Sequence, residues 1–415
     1  MYGNLTKPRR LQAMLMFSSL TMPFSVAADQ MSATVPLDLE KPAHAAPWQR
    51  YSSWRQTDWE HFCNLRRGVA HPVSFIQTID TPIKGDPVNG KKLVTTRKKG
   101  NCVSCHILPG ASFPGNVGIN ISSIGKWGLP DEFLFNYVYD ARIYNPRTVM
   151  PPWGTNGVLT KTEVMDIVSY LKTLTQPVKF DSPEQNPEKR PVPVETRDNL
   201  DEFENSGMFA VDLGEKLYTQ KGPKGQSCQD CHGKPEKAFA KWATNMPKVE
   251  PRLNKVLGVE EFVTRHARVT TGAEYLAQTE NNLGLAVYLR YLANGQPISI
   301  NTSDMNTRIA LRRGEELVSR KIGQFNMACT DCHVISAGKW IRGQYLATVV
   351  GMMDHFPTYR TSRGEIWDIR KRFQWCNVSI RANDLPPDAP EYGDMELYLT
   401  VKNNGRILSV PGIRH

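Results

Sequence analysis

CVSCH at residues 102–106, CQDCH at 228–232 and CTDCH at 329–333 take up six of the eight cysteines in this chain of 415 residues. Cys-x-x-Cys-His is the signature of covalent haem attachment. The spacing has a chemical reason: two thiols add to the two vinyl groups of one haem, and the adjacent histidine lies beneath the iron as proximal ligand. Redox-active dithiols and zinc sites also use paired cysteines, but neither requires a histidine after every pair. Three copies therefore predict three covalently bound haem c groups. Cys102 and Cys105, Cys228 and Cys231, and Cys329 and Cys332 would attach them, with His106, His232 and His333 on iron.

The surroundings repeat as well. GKKL from Gly90, GEKL from Gly214 and GEEL from Gly314 each precede a motif by a short helix and loop, which marks three related units. Each unit should open on the helix carrying that glycine and close on another packed across it. In the first, LTKTEVMDIVSYLKTL places Val164, Ile167, Val168 and Leu171 on one face behind a Thr160–Glu163 capping box. NNLGLAVYLRYLANG closes the second unit and GDMELYLTVKNNG the third. The fold expected is mainly α, with three cytochrome c-like haem domains of class I type in tandem at 78–176, 199–300 and 301–415. Between the first two, residues 177–198 are rich in proline and charge and read as a linker.

Residues 1–28 read as a secretory signal: Lys7, Arg9 and Arg10 precede an apolar stretch, and small residues allow cleavage near Ala27/Ala28. An N-terminal extension, 29–77, would follow; its Trp48, Trp54 and Trp59 suggest packing without disclosing an architecture. No later segment offers the roughly 20 consecutive apolar residues of a membrane span. The expected location is the periplasm. A formal net charge of +10 suits an anionic substrate or an acidic partner. With neither a concentrated basic tract nor a recognisable binding motif, nucleic acid is not an expected partner.

The sixth position on each iron separates electron transfer from catalysis. Met150, in the proline-stiffened TVMPPW, stands where a thioether ligand would raise the potential of the first haem. In the second unit His266 is favoured, with Met246 as the alternative. The third offers His355, Met352 and Met353, but Cys376 lies before the last helix, as Met150 does in the first unit. Arg370, Lys371, Arg372 and Arg381 would hold its sulfur as thiolate and attract an anion. Counting alone leaves a second possibility open: Cys63 and Cys376 are the two cysteines left over and could form a disulfide.

The residues quoted so far resemble the thiosulfate-oxidising Sox cytochrome SoxAX, here as a single-chain fusion. Residues 78–176 resemble the monohaem SoxX subunit. The region from Arg197 to His415 resembles the dihaem SoxA subunit, through YLRYLANGQPI, HFPTYRTSRGEIWDIRKRFQWC and the terminal PGIR. The resemblance implies that Met150 is a haem ligand, that Cys376 is both the distal ligand of the active-site haem and the catalytic thiol, and that Arg372 stands beside it. The implied reaction conjugates thiosulfate to a cysteine of the carrier protein SoxYZ, with electrons passing to a soluble cytochrome c. The alternatives are a thiosulfate dehydrogenase forming tetrathionate and a non-catalytic multihaem electron carrier. One departure is visible: SoxA proteins carry a second ligating cysteine where this chain reads VEEFVTRHA, with Thr264 near the expected place.

Overall fold

A computed structural model describes residues 34–192 and 200–414. The signal sequence read at 1–28 lies outside the described residues. Three helical bodies follow one another. The first contains α1 (Pro87–Thr95), α2 (Asp131–Tyr139) and α3 (Lys161–Thr173). The second contains α4 (Phe209–Thr219), α5 (Cys228–His232), α6 (Pro235–Ala238), α7 (Val259–Thr270) and α8 (Glu280–Tyr291), with a small hairpin of β1 (Lys248–Glu250) and β2 (Lys255–Leu257). The third contains α9 (Met305–Ser319), α10 (Ile369–Ser379) and α11 (Pro390–Val401). Its strands are the hairpin β3 (Trp340–Ile341) and β4 (Gln344–Tyr345), and the sheet β6-β5-β7, made from β5 (Thr358–Arg360), β6 (Glu365–Trp367) and β7 (Gly412–Arg414). None of the helices among the described residues is long and apolar enough to cross a membrane.

The repeated glycine explains how each body closes. A Cβ on Gly90 would lie 2.1 Å from the Asp166 carbonyl oxygen, one on Gly214 2.3 Å from that of Gly284, and one on Gly314 2.2 Å from that of Asp394. In each case the Cβ of a tyrosine on the closing helix, Tyr170, Tyr288 or Tyr398, also lies within 2.8 Å. α1 thus crosses α3, α4 crosses α8, and α9 crosses α11 at backbone contact. Close packing leaves no room for a methyl group there. Gly314→Ala is therefore expected to lower stability by about 1–3 kcal/mol, whereas Gly68→Ala, with nothing within 4 Å, should be nearly neutral. Thermal unfolding of the two variants checks this. The Thr160–Glu163 capping box expected of α3 is present.

The bodies are tied together more firmly than a linker reading suggests. The β3–β4 hairpin docks on the first haem motif: Asn116 and Trp340 exchange backbone and side-chain hydrogen bonds, and Arg342 donates to Ser104 and Asn101. The segment read as a linker is pinned over its described part, because the Arg190 guanidinium lies over both the Phe113 and Trp340 rings and donates to the Arg342 carbonyl. The extension is a strap across all three bodies. Asp38 bonds to Arg265 in the second; Trp54 packs on Trp367 and Trp375 in the third; Arg142 of the first donates to the Pro72 carbonyl.

A buried charge network joins the second and third bodies. Arg370 on α10 donates to Glu396 of α11 at 2.8 Å and to Glu261 of α7 at 2.9 Å, and all three are buried. Glu261 also pairs with Lys255 and Arg265, and Glu396 with Arg290. Burial opposes the Arg370 charge, but the two carboxylates reverse that effect and hold it protonated.

Candidate functional site

Each motif folds as a short helical turn, with His232 closing α5 and His333 inside a π-turn at Asp331–Ile335. Residues 102–104 make one 3₁₀ turn, and Cys228–His232 is a short helix capped by Ser227 and Asp230. None of the eight cysteines is paired in a disulfide. Burial pushes Cys102 up to about 12, Cys105 to about 11, and Cys329 and Cys332 to about 12. A redox-active dithiol needs the opposite, a lowered pKa. Among the described residues no group of three His, Cys, Asp or Glu could hold a metal ion, so the donor set of a zinc site is missing too.

Two of the motif histidines are arranged so that Nε2 could take a metal. His106 Nδ1 lies 2.8 Å from the Ile119 carbonyl oxygen and His333 Nδ1 2.9 Å from that of Ala347. An Nδ1–H donated to backbone fixes the tautomer and leaves Nε2 with its lone pair for a metal. Gly118 faces the His106 ring so closely that a Cβ would sit 2.2 Å away.

One continuous cavity of about 1140 Å³ runs between the first and third bodies. It exceeds the roughly 300–1,000 Å³ typical of a site for one small molecule. Cys102, Cys105, His106 and Met150 line it from one side; Cys329, Cys332, His333, Arg372 and Cys376 line it from the other. The Met150 loop is held from across the interface, where Lys321 donates to the Thr148 carbonyl at 2.8 Å. Of the other ligand candidates in the third body, Met353 is buried in the core and His355 Nδ1 is bonded to Asp354, while Met352 does line the cavity.

Cys376 sits on α10 itself, half-buried, one turn after Arg372. The cation cluster expected around it needs correction. Arg370 is buried in the ion network, Lys371 pairs with Glu365 at 2.9 Å, and Arg381 bridges to Gln324 and the Lys98 carbonyl. At 3.6 residues per turn, positions 372 and 376 share a face while 370 points almost oppositely. Only Arg372 of the four shares the thiol's face and reaches the motif, its charge bearing on Cys332 and His333. A further cation whose charge bears on Cys376, and which sequence reasoning did not name, is Arg360 on β5. Burial lowers it to about 10, with Arg372 adding repulsion and Cys376 opposing. Its signal was the TYRTSRGEIW hairpin directly before α10. Cys63 is buried in the core of the third body as a free thiol, so the Cys63–Cys376 disulfide is not formed.

The second motif lies apart from that cavity. His232 faces His266 of α7 at 5.8 Å between ring centroids. Two metal–imidazole bonds of about 2 Å each, extended to the ring centres, span about 6 Å. His266 Nδ1 is bonded to the Pro36 carbonyl oxygen at 2.9 Å, which again leaves Nε2 for a metal. Met246 is 1% exposed within the apolar core, and the Thr264 hydroxyl is spent 2.6 Å from the Tyr275 carbonyl oxygen. The residues of this body fit a haem held by two histidines.

Known families match the first two bodies. A family model described as SoxA/TsdA, cytochrome c domain, matches residues 213–298, and one described as cytochrome c oxidase, cbb3-type, subunit III, matches residues 86–171. The L-cysteine S-thiosulfotransferase subunit SoxA of Pseudaminobacter salicylatoxidans is 30% identical over 224 residues, covering 53% of this chain and 78% of that protein. Its counterpart in Paracoccus pantotrophus is 29% identical over 223 residues, covering 53% and 76%. The crystal structure of SoxXA from P. pantotrophus aligns at 27% identity with a TM-score of 0.48, over 52% of this chain and 81% of that one.

Proposed function

The chain belongs to the SoxA family of L-cysteine S-thiosulfotransferase subunits, and from that premise we propose that it is a periplasmic single-chain SoxX–SoxA fusion joining thiosulfate to a cysteine of the SoxYZ carrier. The observation that carries the reading is Cys376 one helical turn from Arg372, over the same cavity as Cys329, Cys332 and His333. Three haem c groups are proposed, at 78–176, 199–300 and 301–415; His106 and Met150 would hold the first, His232 and His266 the second, and His333 and Cys376 the third. Bound there, the haems would supply one-electron acceptors, with a soluble cytochrome c proposed as the final acceptor.

This chain's own residues do the rest. Arg372 pairs with the sulfonate and brings the sulfane sulfur toward Cys376. The Cys376 thiolate forms a sulfur–sulfur bond to it, and two electrons leave. The carrier thiolate then attacks this disulfide at the sulfane sulfur, releasing Cys376 and taking the S-thiosulfonate. In sum, thiosulfate and a carrier thiol give one new S–S bond, one proton and two electrons. Dividing the reaction at a covalent adduct replaces one difficult bond formation by two exchanges.

The test is thiosulfate-dependent reduction of a cytochrome acceptor with and without carrier, with mass spectrometry of the carrier. Turnover should require the carrier's cysteine and add a thiosulfonate mass to it. Carrier-free tetrathionate formation at the same rate would make the protein a thiosulfate dehydrogenase instead. No reduction by thiosulfate at all would leave an electron carrier.

A further inference from the structure

The strap formed by residues 34–46 runs against α7. Its Pro36 carbonyl accepts from His266 Nδ1 at 2.9 Å. Two residues on, the Asp38 backbone N–H donates to the Arg265 carbonyl at 3.0 Å, and its carboxylate pairs with Arg268 at 2.8 Å. Arg265 returns the contact through the Asp38 and Lys41 carbonyls, at 2.8 and 3.0 Å. Leu37 is buried in the core of the second body, and Arg252 donates to the Val35 carbonyl. Farther along, Ala43 and His44 are fastened to Asp388 in the third body.

Ring fixation explains why proline suits this position. Proline holds its own φ near −65° and confines the preceding residue to extended backbone, so fewer directions are open to the carbonyl before the strap docks. A histidine that ligates a metal commonly donates its other ring N–H to such a partner, which fixes the ring and strengthens it as a ligand. Elsewhere in this chain the partner comes from a loop shortly after the motif, Ile119 for His106 and Ala347 for His333. For His266 it comes from a segment 230 residues away.

We propose that the strap is a positioning element of the second haem site, with the Pro36 carbonyl, latched by Asp38 and Arg268, setting the orientation and ligand strength of His266. This rests on the reading of His232 and His266 as the two ligands. The exchanged ligand and the strap are then one device: imidazole takes the distal position, and the strap supplies the acceptor that holds it.

Carbon monoxide binding to the reduced second haem tests this in the full chain, because the gas enters only when the distal ligand leaves. Loss of such a partner typically weakens metal binding about 10-fold or more. Asp38→Ala and Arg268→Ala should therefore bind carbon monoxide about 10-fold faster, with the haem's potential shifted upward, and Arg268→Lys should restore both. Pro36→Gly, which leaves the ion pair intact and only frees the carbonyl direction, should move the same way. Unchanged rates and potential in Asp38→Ala, Arg268→Ala and Pro36→Gly would overturn the strap's role while leaving the ligands in place. His266→Ala separates the two ideas: it should remove the six-coordinate low-spin spectrum of the second haem, and a spectrum that survives would overturn the ligand reading and the strap inference together.

Discussion

Cys376→Ala is expected to cut thiosulfate-dependent turnover by at least about 10³-fold, in line with losses seen when a covalent nucleophile is removed. Haem attachment should be untouched, because the six motif thiols lie elsewhere in sequence and Cys376 is not among them. A low-spin thiolate-ligated ferric signal should vanish from the low-temperature electron paramagnetic resonance spectrum in the same variant. Arg372→Ala should act differently, raising KM for thiosulfate more than it lowers kcat, since its guanidinium meets the ground-state sulfonate as well as the transition state. Full turnover in Cys376→Ala, or a wild-type signal, would remove the thiol from both roles and with them the proposed chemistry.

The second large effect is on stability. Arg370→Ala should cost about 3–5 kcal/mol, the range for breaking a buried ion pair by deleting one partner. The reason lies in what remains: Glu261 and Glu396 keep other cations, but their oxygens at 2.9 and 2.8 Å lose the guanidinium that satisfies them. An exposed pair such as Lys172–Asp131 is worth only about 0–1 kcal/mol by comparison. Arg370→Lys should recover little, because a point charge cannot serve two carboxylates and the Pro387 carbonyl at once. Scanning calorimetry should find a melting temperature lower by on the order of 10 °C. A change below about 1 kcal/mol would mean that the network does not fasten α10 between the second and third bodies.

Much of the local architecture was legible. The three glycine-bearing helices and their closing helices follow from spacing, and the chain places each pair in direct contact. The tyrosine that meets each glycine was in plain view in SYL, VYL and LYL, yet only the crossing geometry gives the repeat a purpose. Around Cys376 the reading was right about the helical turn linking it to Arg372 and wrong about the neighbours. Net charge along a stretch does not say which side of the helix each cation occupies, and Arg370, Lys371 and Arg381 found carboxylates or carbonyls on other faces. The extension was unreadable because it has little helix or strand period of its own. Its order comes from partners such as Arg265, Asp388 and Trp375.

By itself the sequence determined what is covalent or strictly local: three Cys-x-x-Cys-His turns, a capping box fixed by residues three apart, and the helices that open and close each unit. Tertiary structure decided which groups meet. His266 faces His232 from another helix and takes its fixing bond from Pro36; Met150 and Cys376 line opposite sides of one cavity. Local features repeat with the period of the backbone and so can be read from spacing. Contacts across hundreds of residues carry no such period, and they form only where packing and buried charge select one partner over the rest.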